Sequence, residues 1–149
     1  MTRRCLRLGL VFPLLAGCAS SLGFKSVVFE GVNAEQVFPL CEEQIRRHYT
    51  GLVIRADPDL RQVETDPIEF AGREGTLREQ VFLDVRERED GTVEIALFVP
   101  MSRLHVEPEA QNPYQWKVLR SDEKVEQILL EEITGSVLLS HPTASVRPD

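Results

Sequence analysis

The chain has 149 residues, of which 24 are acidic and 17 are Lys or Arg, so its formal net charge is −7. This length suffices for one domain with one hydrophobic core. An acidic surface is repelled by phosphate backbones and by anionic lipid headgroups. The composition therefore predicts a single acidic domain and argues against binding to nucleic acid.

The beginning of the chain has the layout of an export signal. Arginines at positions 3, 4 and 7 precede an apolar run over residues 8–15, and Cys18 follows two small residues. This order is typical of a secretory signal peptide. The run is far shorter than the roughly 20 residues that a membrane-spanning helix needs. The alternative is a buried cysteine after a hydrophobic N-terminal helix, and Pro13 within the run argues against it.

The segment Leu15-Ala16-Gly17-Cys18 resembles the lipobox of bacterial lipoproteins. The resemblance implies cleavage before Cys18, a diacylglyceryl thioether on its sulfur and acylation of the new amino terminus. Residues 1–17 would then be a cleaved signal, and residues 18–24 a lipidated tether. By analogy with enterobacterial sorting, Ala19 favours the outer membrane, with the domain in the periplasm. The 132 remaining residues would carry a net charge of −10, so the lipid alone is expected to attach them to the membrane.

The three cysteines leave no intramolecular disulfide in the processed chain. Cys5 would leave with the signal and Cys18 would carry lipid, so Cys41 would be the one remaining thiol. Two interpretations of Cys41 stay open, a small buried apolar side chain or a disulfide with another chain. Either way, the hydrophobic core must hold the domain together.

The domain begins with a predicted strand at Lys25–Glu30 and a well-marked helix. Asn33 predicts the helix N-cap, with Gln36 completing a capping box. Basic side chains at positions 46–48 suit the negative end of the helix dipole, and Gly51 can end the helix. The predicted core-facing side contains Val37, Phe38, Leu40, Cys41, Ile45 and His48.

The sequence between residues 52 and 75 has a pattern typical of extended strands. A short apolar run at 52–54 and a turn at 57–59 precede a strand-like stretch over 63–70. Pro67 interrupts this stretch and predicts an edge strand or a bulge.

A hairpin around Gly91 has a register that the sequence itself selects. A two-residue turn would set Asp84 against Leu97, whereas a three-residue loop at 89–91 matches apolar with apolar side chains. The longer loop is predicted, with Gly91 in the left-handed conformation. It pairs Val81 with Val99, Leu83 with Leu97 and Val85 with Ile95 on one face, and Phe82 with Phe98 and Arg86 with Glu94 on the other.

A second helix and a loose tail are predicted after the hairpin. Tyr114 and Trp116 are expected to cover the core. Ser121 is the predicted N-cap of the helix, which ends at Gly135 or continues past it. The domain then covers residues 25–140, and residues 141–149 are a flexible tail. The buried stripe of this helix is predicted to contain Val125, Ile128, Leu129 and Ile133.

No catalytic, metal or cofactor site is predicted. The acidic residues Asp57, Asp59, Glu64 and Asp66 lack the glycine that a calcium loop needs at its bend. A carboxylate pair for glycoside hydrolysis would need a larger cleft. Cys41 and His48 could supply two metal ligands, but two rarely make a site. Ser136 lacks the Gly-x-Ser-x-Gly motif of a nucleophile elbow.

The order of elements predicts an α+β fold. It would be a two-layer sandwich, with an antiparallel sheet of about four to five strands and two helices on one face. Over residues 25–140 this order resembles the small helix-and-sheet domains of bacterial envelope lipoproteins such as the outer-membrane assembly lipoprotein BamC. The nearest local likeness spans residues 51–65.

Two kinds of function remain open at this point. The first is a non-catalytic envelope lipoprotein that binds a protein partner through a sheet edge or through a patch at Phe82 and Phe98. The second is a lipoprotein that binds a small ligand or a lipid in a pocket between the sheet and the helices. The absence of a catalytic motif favours binding over an enzymatic reaction.

Overall fold

The computed structural model describes residues 23–73 and 75–148. Neither helix in these two ranges is long and apolar enough to cross a membrane. The elements in chain order are β1 (Lys25–Glu30), α1 (Ala34–His48), β2 (Ile54–Asp57), β3 (Gln62–Thr65), β4 (Ile68–Gly72), β5 (Gly75–Glu79), β6 (Phe82–Glu87), β7 (Val93–Phe98), β8 (Pro100–Val106), β9 (Tyr114–Ser121), α2 (Glu123–Ser140) and β10 (Ser145–Arg147).

The ten strands of the described residues form two antiparallel sheets. The six-stranded sheet has the order β10-β1-β7-β6-β3-β2, and the four-stranded sheet has the order β4-β5-β8-β9. The two helices and two sheets confirm the α+β class. The sequence predicted one sheet of about four to five strands. The structure differs because the predicted hairpin continues beyond the first sheet and becomes the middle of a second one.

This hairpin keeps one register through both sheets. Phe82 lies opposite Phe98 in the six-stranded sheet, and Glu79 lies opposite Met101 in the four-stranded sheet. Three positions separate Glu79 from Phe82, and three separate Phe98 from Met101, so no residue is inserted on either side. The two strands therefore change sheets together near Val99. The register predicted from the alternation of side chains is confirmed over Phe82–Glu87.

The loop of the hairpin is also as predicted. The backbone N–H of Arg88 donates to Thr92 O at 2.8 Å, which leaves residues 89–91 as the loop. Gly91 has φ of 79°, a left-handed conformation that glycine adopts without steric cost.

Pro67 marks a bulge between β3 and β4. Glu64 pairs with Phe82, whereas Ile68 pairs with Glu79, so this chain segment contains one residue more than the strand opposite it. Such an extra residue bends a strand and ends its regular pairing. β4 is also an edge strand, in agreement with the sequence-based prediction.

The core lies between the six-stranded sheet and the helices. α1 contacts β6, α2 contacts β1 and β7, and the two helices contact each other. The capping box of Asn33 and Gln36 is confirmed by both of its hydrogen bonds. His48 was predicted on the core-facing side, but it is exposed and its Nδ1 lies 3.4 Å from Glu132 Oε2. The buried α1 residues are Ala34, Val37, Phe38, Cys41 and Ile45.

The second helix begins one residue later than predicted and continues through Gly135. Asp122 is the N-cap, since its side chain accepts a hydrogen bond from Val125 N, and Ser121 is the last residue of β9. The stripe of α2 that is fully buried contains Glu126, Leu129, Ile133 and Val137.

The segment predicted as a flexible tail contains a strand. β10 pairs with β1 at the edge of the six-stranded sheet, with Val146 opposite Phe29. An ion pair between Arg147 Nη1 and Asp90 Oδ2 at 2.8 Å links it to the hairpin loop. Strand pairing at this range is a tertiary effect that three residues of local sequence do not reveal.

Candidate functional site

The two phenylalanines of the predicted patch lie beside each other on the sheet. Phe82 and Phe98 are directly opposite in the pairing of β6 with β7, and both are half-buried. They point away from the helices, because their strand neighbours Leu83 and Leu97 point into the core. The ring of Phe24 covers part of this patch, with its centroid 5.2 Å from that of Phe98. Cys18, the predicted lipidation site, lies outside the described residues.

The same side of the chain continues into the four-stranded sheet. Side chains alternate along a strand, so the unbroken register places Arg78 and Ser102 on the side of Phe82 and Phe98. Ser102 and Leu104 pair with Val118 and Trp116 of β9, which extends this side across the sheet. We call it the aromatic face. It holds five of the ten aromatic residues of the chain, namely Phe24, Phe82, Phe98, Tyr114 and Trp116.

An arginine supports Trp116 on the aromatic face. The guanidinium carbon of Arg78 lies 4.5 Å from the ring centroid, a distance suited to a cation–π contact. Burial lowers the pKa of Arg78, and the nearby Glu69 carboxylate opposes that shift. Trp116 is thus held in a defined position next to more exposed residues such as Tyr114, which is 63% exposed.

The four-stranded sheet is much more exposed than the six-stranded sheet. The described residues include eleven exposed large apolar side chains, and five of them lie in this smaller sheet. Three of the five, Val106, Tyr114 and Val118, lie close together on the aromatic face, and grouped apolar side chains of this kind are typical of interaction surfaces. The five are Phe70, Val106, Tyr114, Val118 and Leu119.

The charge of the four-stranded sheet has the opposite sign to that of the chain. Its strands contain four basic side chains against two carboxylates, Glu69 and Glu79. Lys117 Nζ donates to Glu107 Oε1 at 3.0 Å, and this bond is the main reason that the pKa of Glu107 is lowered. The basic residues are Arg78, Arg103, Lys117 and Arg120.

The first turn of α2 holds the backbone where the hairpin passes between the sheets. The backbone N–H of Asp122 donates to Val99 O at 2.7 Å, and Val99 N donates to Glu126 Oε1 at 3.0 Å. Glu126 is fully buried, and burial raises the pKa of its carboxyl. Its Oε2 has no hydrogen-bond partner among the described residues. Sequence analysis missed Glu126, although it lies three positions before Leu129 on the apolar stripe.

A tyrosine and a carboxyl group join α1 to the near end of the four-stranded sheet. Tyr49 Oη donates to Glu79 Oε1 at 2.9 Å. Burial raises the pKa of Glu79, and burial together with the adjacent carboxylate raises the pKa of Tyr49. The pair connects the end of α1 to the four-stranded sheet.

Two depressions in the described surface lie away from the sheet–helix interface. One, of about 770 Å³, is an open groove between α1 and α2 lined by Leu40, Glu43, Glu132 and Leu139 among others. The other, of about 290 Å³, lies at the start of α2. The interface between the six-stranded sheet and the helices is instead filled by one continuous cluster of buried side chains.

The residues weighed as metal ligands do not come together. Asp57 Oδ1 accepts hydrogen bonds from the backbone N–H groups of Asp59 and Leu60, and Arg55 pairs with Glu64 and Asp66. Cys41 is buried, whereas His48 is directed towards Glu132. Within the described ranges, no group of three or more His, Cys, Asp or Glu residues could hold a metal ion.

Comparison with known proteins assigns no family. The chain matches no protein-family model, and no curated protein has significant sequence similarity to it.

Proposed function

We propose that this chain is a membrane-anchored lipoprotein of the bacterial envelope that binds a protein partner without catalysis. The lipid on Cys18 holds the domain at the periplasmic side of the outer membrane. The aromatic face, with Phe82 and Phe98 at its centre, contacts the partner.

The exposure of the four-stranded sheet is the observation that carries this proposal. Three of these exposed side chains, Val106, Tyr114 and Val118, lie beside the Trp116 ring on the aromatic face. Exposure of such groups costs free energy in water, and a binding partner removes that cost. In this proposal, the six-stranded sheet and the two helices form a two-layer support with both helices on one face.

Site-specific photocrosslinking in intact envelopes tests the binding surface. A photoreactive phenylalanine analogue replaces Tyr114, which is 63% exposed on the aromatic face, and in a matched variant it replaces Leu139, which is 85% exposed on α2. One reproducible protein adduct from position 114, identified by mass spectrometry and absent at position 139, is expected. Equal adducts at both positions, or none at position 114, would contradict the proposal.

Metabolic labelling with a fatty acid tests the anchor. The substitution Cys18→Ala removes the thiol that would form the thioether, so label and normal maturation should both be lost. Cys41→Ala is the matched control, because a buried thiol is not expected to take the lipid. Label that persists in the Cys18→Ala variant would refute lipidation at this residue.

A further inference from the structure

The outer strand of the four-stranded sheet has an open edge. β9 contains eight residues and pairs only with β8 in the strand order of the described residues. An open edge offers unpaired backbone N–H and C=O groups, which are a template for one more strand. Six of its eight residues are exposed, and the other two, Trp116 and Ser121, are half-buried. The edge is therefore accessible from solvent.

The alternation of hydrogen bonds identifies the backbone groups at this edge. The bond from Glu107 N to Pro113 O, at 2.8 Å, sets the phase of the ladder between β8 and β9. In an antiparallel pair every second residue bonds to the neighbouring strand. Gln115 and Lys117 therefore bond to β8, and the backbone groups of Trp116 and Val118 point to the open edge.

The two faces of β9 differ in chemistry. Tyr114, Trp116 and Val118 lie on the aromatic face. Lys117 lies on the opposite face, and Arg120 lies there as well because the extra residue before it shifts the register. Arg120 Nη2 contacts Met101 Sδ at 3.7 Å, and among the described residues no carboxylate pairs with it. An added strand would thus meet an apolar row on one side and a basic row on the other.

This pattern selects the occupant. On the basis of the proposed partner-binding function, we propose that the β9 edge binds an extended segment of the partner in which apolar and acidic side chains alternate. The apolar side chains contact Trp116 and Val118. The acidic ones pair with Arg120 and with Lys117, whose amino group they share with Glu107. Backbone hydrogen bonds provide affinity, and the alternation provides specificity.

A second copy of this chain fits the edge less well. Antiparallel pairing of two β9 strands would bring Lys117 and Arg120 of one copy against the same residues of the other. Like charges opposite each other on neighbouring strands are destabilising. A segment with the opposite charge turns this repulsion into attraction.

Trp116 provides a direct reporter, because it is the only tryptophan of the chain. The detergent-solubilised full chain is titrated with an octapeptide of alternating valine and glutamate, and separately with one of alternating valine and lysine. A saturable change in tryptophan emission with the glutamate peptide alone is expected. No change with the glutamate peptide, or equal changes with both, would overturn the proposal.

Substitution at Val118 tests whether the backbone edge is used. Val118→Pro removes the N–H that points to the open edge, a position where an edge strand tolerates proline. Val118→Thr keeps that N–H and is the matched control. Binding should be lost in Val118→Pro and kept in Val118→Thr, with circular dichroism reporting the fold of each. Equal binding by both folded variants would show that the edge is not the site.

Charge reversal keeps the test decisive if the proline variant does not fold. Arg120 is exposed, so Arg120→Glu should leave the fold intact. It should weaken binding of the glutamate peptide by about fivefold, which corresponds to a cross-strand charge pair of roughly 1 kcal/mol. Binding of the lysine peptide should become stronger. Arg120→Lys is the control and should bind like the unaltered chain. Unchanged peptide preference in Arg120→Glu would overturn the proposed pairing.

The other occupants give distinct results. A change in Trp116 emission with protein concentration alone would assign the edge to a second copy. A change with phosphatidylglycerol vesicles and none with the peptide would assign it to a lipid surface. If the crosslink from position 114 persists while the peptide fails to bind, the partner contacts the aromatic face and only the strand-addition proposal is wrong. Loss of both results would reject the partner-binding function as well.

Discussion

The two sheets share strands of one register but differ in what covers them. In the six-stranded sheet, side chains such as Leu83 and Leu97 are nearly or fully buried between the strands and the helices. In the four-stranded sheet, the same hairpin continues as β5 and β8, and β8 ends at the exposed Val106, which pairs with the exposed Tyr114 of β9. The comparison shows that strand pairing and core formation are separable. Backbone hydrogen bonds join the strands in both sheets, whereas side chains are buried only where another layer of the chain packs against the sheet.

The largest predicted effect is the loss of a core side chain beneath the six-stranded sheet. Leu129 is fully buried on α2, and Leu129→Ala removes apolar contacts and leaves a cavity. We expect the free energy of unfolding to fall by about 2–5 kcal/mol. Urea denaturation followed by circular dichroism measures this change. A loss comparable to that of a surface substitution would mean that the helices do not cover this sheet as described.

A smaller effect is expected at the start of α1. Asn33→Ala removes the Oδ1 atom that accepts the 2.9 Å hydrogen bond from Gln36 N. An N-cap of this type contributes about 1 kcal/mol to stability. The same denaturation measurement applies, with Asn33→Asp as the control that keeps an acceptor oxygen. Equal losses in the two variants would argue against the capping role.

The buried carboxyl of Glu126 predicts a pH dependence. Its pKa is raised in the folded chain, so the folded state holds the proton more tightly than the unfolded state does. The contribution of this group is therefore fully present below the ordinary glutamate pKa of 4.5, and it is lost as pH rises through the raised value. Glu126→Gln keeps an acceptor for Val99 N and removes the titration.

Comparing Glu126→Gln with the unaltered chain separates the contribution of Glu126 from those of other titrating groups. As pH rises from the ordinary glutamate pKa through the raised pKa of Glu126, the unaltered chain should lose stability relative to the variant. Denaturation curves at several pH values measure this difference in stability. A difference that is independent of pH would show that Glu126 does not titrate differently in the folded state.

The smallest effect is expected on the four-stranded sheet. Tyr114 is 63% exposed, so Tyr114→Ala removes little buried surface. Its unfolding free energy should stay within about 0.5 kcal/mol of the unaltered value. A loss near that of Leu129→Ala would show that a layer within this chain covers the sheet, and the contrast between the sheets would fail.

Local signals in the sequence were sufficient for the elements whose partners are close in the chain. The register of β6 and β7 follows from the alternation of apolar and charged side chains on either side of Gly91, since a shift of one residue would bury charges. The start of α1 follows from Asn33 and Gln36, whose bonds span one helical turn. For the candidate site, the adjacency of Phe82 and Phe98 was predictable in the same way.

Distant contacts were beyond such signals. The sequence alone determined the α+β class, the first helix, the hairpin register and the acidic charge, because each depends on composition or on residues near in the chain. Only the tertiary structure decided that the hairpin enters a second sheet, that β10 pairs with β1, and that Glu126 binds Val99 across 27 positions. The physical reason is that burial and edge pairing depend on which elements meet in space, and the local pattern of side chains is compatible with several such meetings.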